Sequence, residues 1–323
     1  MPASGVGRRA FLTGLALLAA CAPPPPVAAR GPWSRPLAER SRDPWPRRIA
    51  LPDSPETVIA AAPRRVVSAT LLSDCLLLAI GPGEGVQALH AISIDPAFSP
   101  VVAESRRFPR HVKGDPEGIL ALRPDLVFVA SYSRAETQEL LAKGGASLVR
   151  MTDFASVADI QDNLRLVGYA LGRDAEAEGV VMAMQATLDA VARGRERRGR
   201  WRLLHWGDGA TSGAGTTFAS LLESVGARNA AADAGLTGSV PLRAERLLAL
   251  DPDVLVVGAV SGEEERVRER LRQEPALASL RALREGRLLL VENALLVAVS
   301  QHAALAAQEI ARQLDRWQDE RGK

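Results

Sequence analysis

The sequence predicts an α/β protein of two Rossmann-like lobes, each with a mainly parallel sheet, joined by a single long helix. Three observations carry this expectation. One phrase occurs twice: Glu117-Gly-Ile-Leu-Ala-Leu-Arg-Pro-Asp125 before Leu126-Val-Phe-Val129, and Glu245-Arg-Leu-Leu-Ala-Leu-Asp-Pro-Asp253 before Val254-Leu-Val-Val257. Each copy reads as a short helix, a Pro-Asp break and a buried strand, because proline cannot continue a helix and the apolar run after it is too short for another. Short apolar runs also alternate with helical patterns in both halves, as in a parallel sheet. Finally, one long helical pattern lies between the halves. Two lobes on one plan leave a cleft, where small ligands are usually held.

At the N-terminus, Arg8-Arg9 and a short apolar run over residues 11–20, ending Leu18-Ala19-Ala20-Cys21, read as an export signal over residues 1–21. Ten apolar residues are too few to span a bilayer. The arginine pair before Phe11-Leu12 resembles a twin-arginine signal, with a Sec signal as the alternative. Leu-Ala-Ala-Cys resembles the lipobox at which bacterial lipoproteins are acylated on the cysteine thiol. Cys21 is therefore the expected lipidation site, holding the protein on the periplasmic side of a bacterial membrane. Residues 22–62 are rich in proline and arginine, which predicts an extended tether without a core. With Cys21 lipidated, Cys75 is alone and no intramolecular disulfide forms. A net charge of +2 and a hydrophobic fraction of 47% suit a well-packed soluble protein and give no reason to expect nucleic acid.

The N-terminal lobe, residues 63–153, opens with the strand Arg65-Val-Val-Ser68 entered from Pro63. A helix over 73–80 stops at Gly81-Pro-Gly83, a strand covers 86–93, Asp115-Pro116 starts the short helix of the repeat, and a strand covers 126–130. Residues 154–198 hold two helices. Val157, Ile160, Leu164, Val167 and Leu171 mark the first, stopped at Gly172, and Asp174 is placed to cap the second. Its stripe is Ala177, Val181, Met184, Leu188 and Val191; residues 174–195 would span roughly 33 Å at about 1.5 Å per residue, a strut between lobes. The C-terminal lobe, residues 199–323, repeats the opening with a strand over 202–206, a glycine-rich loop over 207–215 and a helix over 218–225 ended by Gly226. The second phrase, a strand over 288–291 and an amphipathic helix over 301–317 complete it.

Taken together, Arg65-Val-Val-Ser68, the two Glu-x-x-Leu-Ala-Leu-x-Pro-Asp phrases, Phe218-Ala-Ser-Leu-Leu-Glu-Ser-Val-Gly-Ala-Arg-Asn229 and Arg284-Glu-Gly-Arg-Leu288 resemble the substrate-binding proteins of ABC importers for metal chelates. The resemblance covers about residues 63–317. It implies the class III periplasmic binding protein arrangement, with a ferric siderophore, haem or cobalamin held in the cleft and delivered to a permease dimer with its ATPase. It also implies that a surface glutamate on each lobe, here Glu117 and Glu245, docks into a basic pocket of the permease. The protein is then a monomer that carries no intrinsic cofactor, the chelate being its cargo. Cys75 stands where the family usually has glutamate, and a free cysteine in an apolar helix reads as a small buried hydrophobe.

Ligand-binding candidates lie in loops at strand ends, where α/β folds gather ligands. In the N-lobe these are Thr70, Leu71, Asp95, Phe98, Tyr132 and Arg134; in the C-lobe, Trp206, Thr216, Thr217 and Asn293. Tyr132 and Trp206 offer flat apolar area with a polar tip, suited to a macrocycle or a catechol. The loop Arg106-Arg-Phe-Pro-Arg-His-Val-Lys113 supplies a basic rim in which Arg107 attracts an anionic chelate, and His111 is either a solvated loop residue or a metal ligand. His90, His205 and His302 read as structural. No Gly-x-Ser-x-Gly elbow, P-loop or His-Glu-x-x-His motif occurs, so the sequence argues against an enzyme. Two alternatives stand on residues alone: an exported hydrolase, if the four histidines converge with carboxylates, and a binding protein for a bare transition metal, which needs several tightly spaced ligands.

Overall fold

The computed structural model describes residues 31–321 apart from 53, 82, 208 and 298. Cys21 and the export signal lie outside the described residues.

Residues 31–62 are no tether. A 3-10 turn over Pro32–Ser34, helix α1 (Leu37–Arg40) and an antiparallel pair, β1 (Arg47–Ile49) with β2 (Thr57–Ile59), form a strap folded against the N-lobe. Trp33 is fully buried, and its indole nitrogen donates to Asp162 at 3.0 Å. Arg47 donates to Asp174 at 2.8 Å and to the Tyr169 carbonyl at 2.6 Å, while Arg40 pairs with Glu178. The composition favours extended backbone, but three- and four-residue elements take their stability from such distant bonds, which no local periodicity announces.

In the N-lobe, β3 (Val66–Ser68), α2 (Leu71–Ile80), β4 (Val86–His90), α3 (Val102–Ser105), β5 (His111–Val112), α4 (Pro116–Leu120), β6 (Leu126–Ala130), α5 (Ala135–Lys143) and β7 (Ser147–Met151) follow in order. The sheet is parallel, ordered β5-β4-β3-β6-β7. The expected strand over 86–93 ends at His90, where the chain turns into a 3-10 helix over Ala91–Ile94. Asp115 caps α4 by accepting the Gly118 amide at 2.7 Å, with Pro116 at the first helical position, as the sequence indicates.

Helix α6 (Val157–Leu171) is closed by a Ser156–Asp159 capping box and by Gly172 in the left-handed region at φ 72°. Helix α7 (Asp174–Ala192) returns against it and packs on α2 of one lobe and, later in the chain, α9 (Thr217–Val225) of the other. At 19 residues it ends three short of the expected length, because Gly194 separates it from α8 (Arg195–Arg198). Asp174 does not cap it: Arg173 occupies that position, and the Asp174 carboxylate is buried beside Arg40 and Arg47.

The C-lobe runs β8 (Arg202–His205), β9 (Ala210–Ser212), α9, β10 (Arg228–Asn229), α10 (Ala230–Asp233), β11 (Ser239–Pro241), α11 (Ala244–Leu250), β12 (Val254–Ala259), α12 (Glu264–Gln273), α13 (Pro275–Ala278), α14 (Arg281–Arg284), β13 (Leu288–Glu292), α15 (Asn293–Val297) and α16 (Ala303–Arg321). Its parallel sheet is ordered β10-β8-β12-β13, and β9 pairs antiparallel with β11. One apolar core runs from Leu76 and Phe128 of the N-lobe through Leu164, Met184 and Ile310 to Leu203 and Val254 of the C-lobe. The lobes therefore share packed side chains, and moving them apart would open a core of near-crystalline density.

Candidate ligand site

Strand ends set the site. At the C-terminal edge of the N-lobe sheet, Thr70, Leu71, His90, Lys113, Tyr132 and Arg134 face a hollow of about 580 Å³. Thr70 is there because it caps α2, accepting the Ser73 amide at 3.1 Å. Tyr132 follows β6; its ring meets Phe154 edge to face at 5.5 Å, and it lines the hollow together with Thr70. Although the residue is exposed overall, partial loss of water raises the phenol above its ordinary range, assisted by the nearby Asp74 carboxyl. Lys113 and Arg134 are exposed at the hollow, with no ion pair among the described residues. Polar floor, aromatic wall and cationic rim together suit a flat ligand with acidic arms.

Other expected residues are placed elsewhere. Asp95 holds its own turn by accepting the Ala97 amide at 2.9 Å, and Phe98 is exposed beside it. Asn293 donates to the Ala97 carbonyl at 2.8 Å, joining the two lobes. Thr216 caps α9, and Thr217 donates to the Phe154 carbonyl at 2.6 Å. Trp206 turns away: its indole donates to the Leu242 carbonyl at 3.4 Å, and its ring packs by Leu271 and Leu277 of α12 and α13. Arg107 is exposed on the loop before β5. His111 stands outside the hollow with Nε2 3.2 Å from the Ser105 carbonyl, so the ring there is His90 instead.

Sequence reasoning placed His90 inside a strand and missed it as a lining residue; the only local signal was its position at the strand's end. Its Nδ1 accepts the Ile92 amide at 3.2 Å, leaving Nε2 to donate toward the Lys113 backbone, and burial lowers its pKa. Cys75 is buried, its thiol pushed up to about 12 by burial and by Asp74, which makes it inert as a nucleophile. The four histidines are dispersed: His90 at the hollow, His111 at the sheet edge, His205 on β8 against Phe218, and His302 before α16. Glu117 and Glu245 are exposed in the first turns of α4 and α11.

Comparison with known proteins gives three findings. Residues 66–295 match the family described as periplasmic binding protein. Among curated proteins, the chain is 24% identical over 238 residues, 68% of this chain and 71% of the relative, to the "Uncharacterized ABC transporter substrate-binding lipoprotein YvrC" of Bacillus subtilis (strain 168). Among solved structures, it resembles the apo "Periplasmic heme-binding protein RhuT" from Roseiflexus sp. RS-1 at TM-score 0.67 and 25% identity, covering 78% of this chain and 97% of that one. It also resembles "a Periplasmic Heme Binding Protein from Pseudomonas aeruginosa" at TM-score 0.64 and 27% identity, covering 77% and 92%.

Proposed function

The chain belongs to the periplasmic binding protein family, and on that premise we propose that it is the substrate-binding lipoprotein of an ABC importer, taking an iron or cobalt chelate into its cleft and delivering it to a permease. Haem or a ferric siderophore comes before cobalamin. The observation that carries the reading is the N-lobe hollow, where the edge of Tyr132, the Thr70 hydroxyl and the Lys113 and Arg134 cations converge. A chelate brings most of its own metal ligands, so the protein need supply only shape, apolar wall and a few polar contacts. The haem-binding solved structures and the lipoprotein relative point the same way. Cys21 is the acylated residue that holds the chain to the membrane, and Glu117 and Glu245 are the acids that meet the permease.

Purified protein titrated with haemin, a ferric siderophore and cyanocobalamin, followed by the absorption spectrum, should bind one chelate per chain and return it chemically intact. Tyr132→Ala should weaken that binding at least tenfold, about 1.4 kcal/mol, while Trp206→Phe stays within twofold. Recovery of a modified chelate, or no binding of any of the three, sinks the proposal.

A further inference from the structure

We propose that Asp74 is the positioning residue of the ligand hollow, holding from behind both the turn that carries His90 and the ring of Tyr132. The proposal rests on reading the hollow as the ligand site. Asp74 sits on α2, one turn after Thr70, and is fully buried. Both of its oxygens accept the His90 amide, at 3.2 and 3.0 Å, and the hydroxyls of Ser68 and Ser93 lie close to the same carboxyl. Ser93 also donates to the His90 carbonyl at 2.7 Å. The end of β3, the end of β4 and the 3-10 turn after it thus meet on one side chain.

A second arm leaves through Ser68. Its hydroxyl lies 2.6 Å from that of Ser73, which lies 2.8 Å from that of Thr70, and Thr70 and Tyr132 line the hollow together. A line of three hydroxyls, Ser68, Ser73 and Thr70, therefore runs from beside the buried carboxyl to the hollow, where Thr70 lies near a ring that is 59% exposed.

Among the described residues no cation pairs with Asp74; what faces it is the Ser68 and Ser93 hydroxyls, the His90 amide, the Tyr132 phenol and the Cys75 thiol. Burying a carboxyl without a cation is costly, and burial raises its pKa well above the usual carboxylate range. An apolar side chain would fill the same space in α2, most of whose residues are apolar, without that cost. What Asp74 supplies is acceptor geometry at the back of the hollow. Networks of this kind gain rigidity when every member is satisfied, and here both ends of the network carry hollow-lining side chains.

The test compares wild type, Asp74→Ala, Asp74→Asn and Ser73→Ala, titrated with haemin (or with cyanocobalamin if wild type takes only that) and followed by amide hydrogen exchange. Asp74→Ala should weaken chelate binding at least tenfold and speed exchange of the His90 amide by a similar factor. Asp74→Asn, which keeps an acceptor for that amide, should recover most of the lost affinity. Ser73→Ala cuts only the arm to Tyr132, so it should weaken binding a few fold with His90 exchange unchanged. The proposal is overturned if Asp74→Ala binds within twofold of wild type, or if Asp74→Asn falls as far as alanine. Should the alanine variant fail to fold, wild-type affinity in Ser73→Ala overturns the Tyr132 arm, and tenfold weakening in Asp74→Asn overturns the rest. If wild type binds neither chelate, it is the ligand-site reading that fails.

Discussion

In the N-lobe, Arg65 at the entry to β3 donates to the carbonyls of Leu122 and Arg123 at 3.0 and 2.8 Å, and Asp125 accepts the amides of Arg64 and Arg65 at 2.8 and 3.0 Å. In the C-lobe, Arg202 at the entry to β8 donates to the carbonyls of Asp251 and Leu250 at 3.3 and 3.2 Å, and Asp253 accepts the Arg202 amide at 2.9 Å. Arg123 and Asp251, matching positions of the two phrases, have φ of 48° and 38° and are the non-glycine residues of positive φ among those described. The repeated phrase is thus a helix stop. A left-handed residue ends the helix, proline prevents its resumption, the aspartate catches an amide at the entry to the neighbouring strand of the sheet, and the arginine at that entry caps the orphaned carbonyls. At the ligand edge the lobes diverge. N-lobe strand ends open on the hollow, whereas Trp206, Thr217 and Asn293 of the C-lobe spend their polar atoms on protein carbonyls. Scaffold is repeated between the lobes, and site is not.

The sharpest test of that division concerns the two acids on the scaffold side of it. Glu117 and Glu245 keep matching places at exposed helix starts, and two charges so presented suit two basic pockets of a twofold-symmetric partner. Reversing both to Arg should abolish transport and leave chelate affinity within twofold. Either single reversal should leave part of the transport. Transport that survives the double change, or chelate binding lost along with it, would show that these acids belong to something other than docking.

A second asymmetry is the strap. It binds α6 and α7 and lies along β7 of the N-lobe, through Thr57 donating to the Leu148 carbonyl and Ser147 donating to the Val58 carbonyl at 2.5 and 3.0 Å. Trp33→Ala should cost about 3–5 kcal/mol in denaturant unfolding, the range for emptying a buried aromatic site. A loss below about 1 kcal/mol would return residues 31–62 to the tether that their composition suggested.

What was legible in the sequence follows from how local each cause is. The strand over Leu126–Ala130, the Asp115-Pro116 helix start and the glycine stops at Gly172 and Gly226 each depend on neighbours within four residues, and the structure has them where the sequence put them. Thr70, Leu71, Tyr132 and Arg134 line one hollow because strand ends gather at one edge of a parallel sheet. Asp174 was misread as a cap because its partner, Arg47, is 127 positions away. Asp74 passed unnoticed inside an apolar helix, since its donors come from β3, β4 and the turn after β4. Trp206 faces away because aromatic character does not say which side of a loop a ring will take.

The smallest effect sets one buried group of each lobe against the other in pH. Burial lowers the pKa of His205 to about 4, against about 6.5 in an unfolded chain. The folded C-lobe therefore prefers the neutral ring, and the stability this contributes is complete above about pH 6.5 and lost as pH falls toward 4. Asp74 has the opposite sign. Its raised pKa means that the folded N-lobe holds the proton more tightly than the unfolded chain, so its contribution is complete below about pH 3.9 and lost as pH rises through the raised value. On acidification from pH 7, the His205 contribution falls while the Asp74 contribution grows. Separate variants should expose the two halves. His205→Gln should become more stable relative to wild type as pH falls from 6.5 to 4.5, and Asp74→Asn less stable relative to wild type over the part of that range in which Asp74 takes up its proton. Urea midpoints at pH 6.5 and 4.5 decide it; equal pH slopes in wild type and both variants would mean that neither buried group titrates between the folded and unfolded states as its surroundings require.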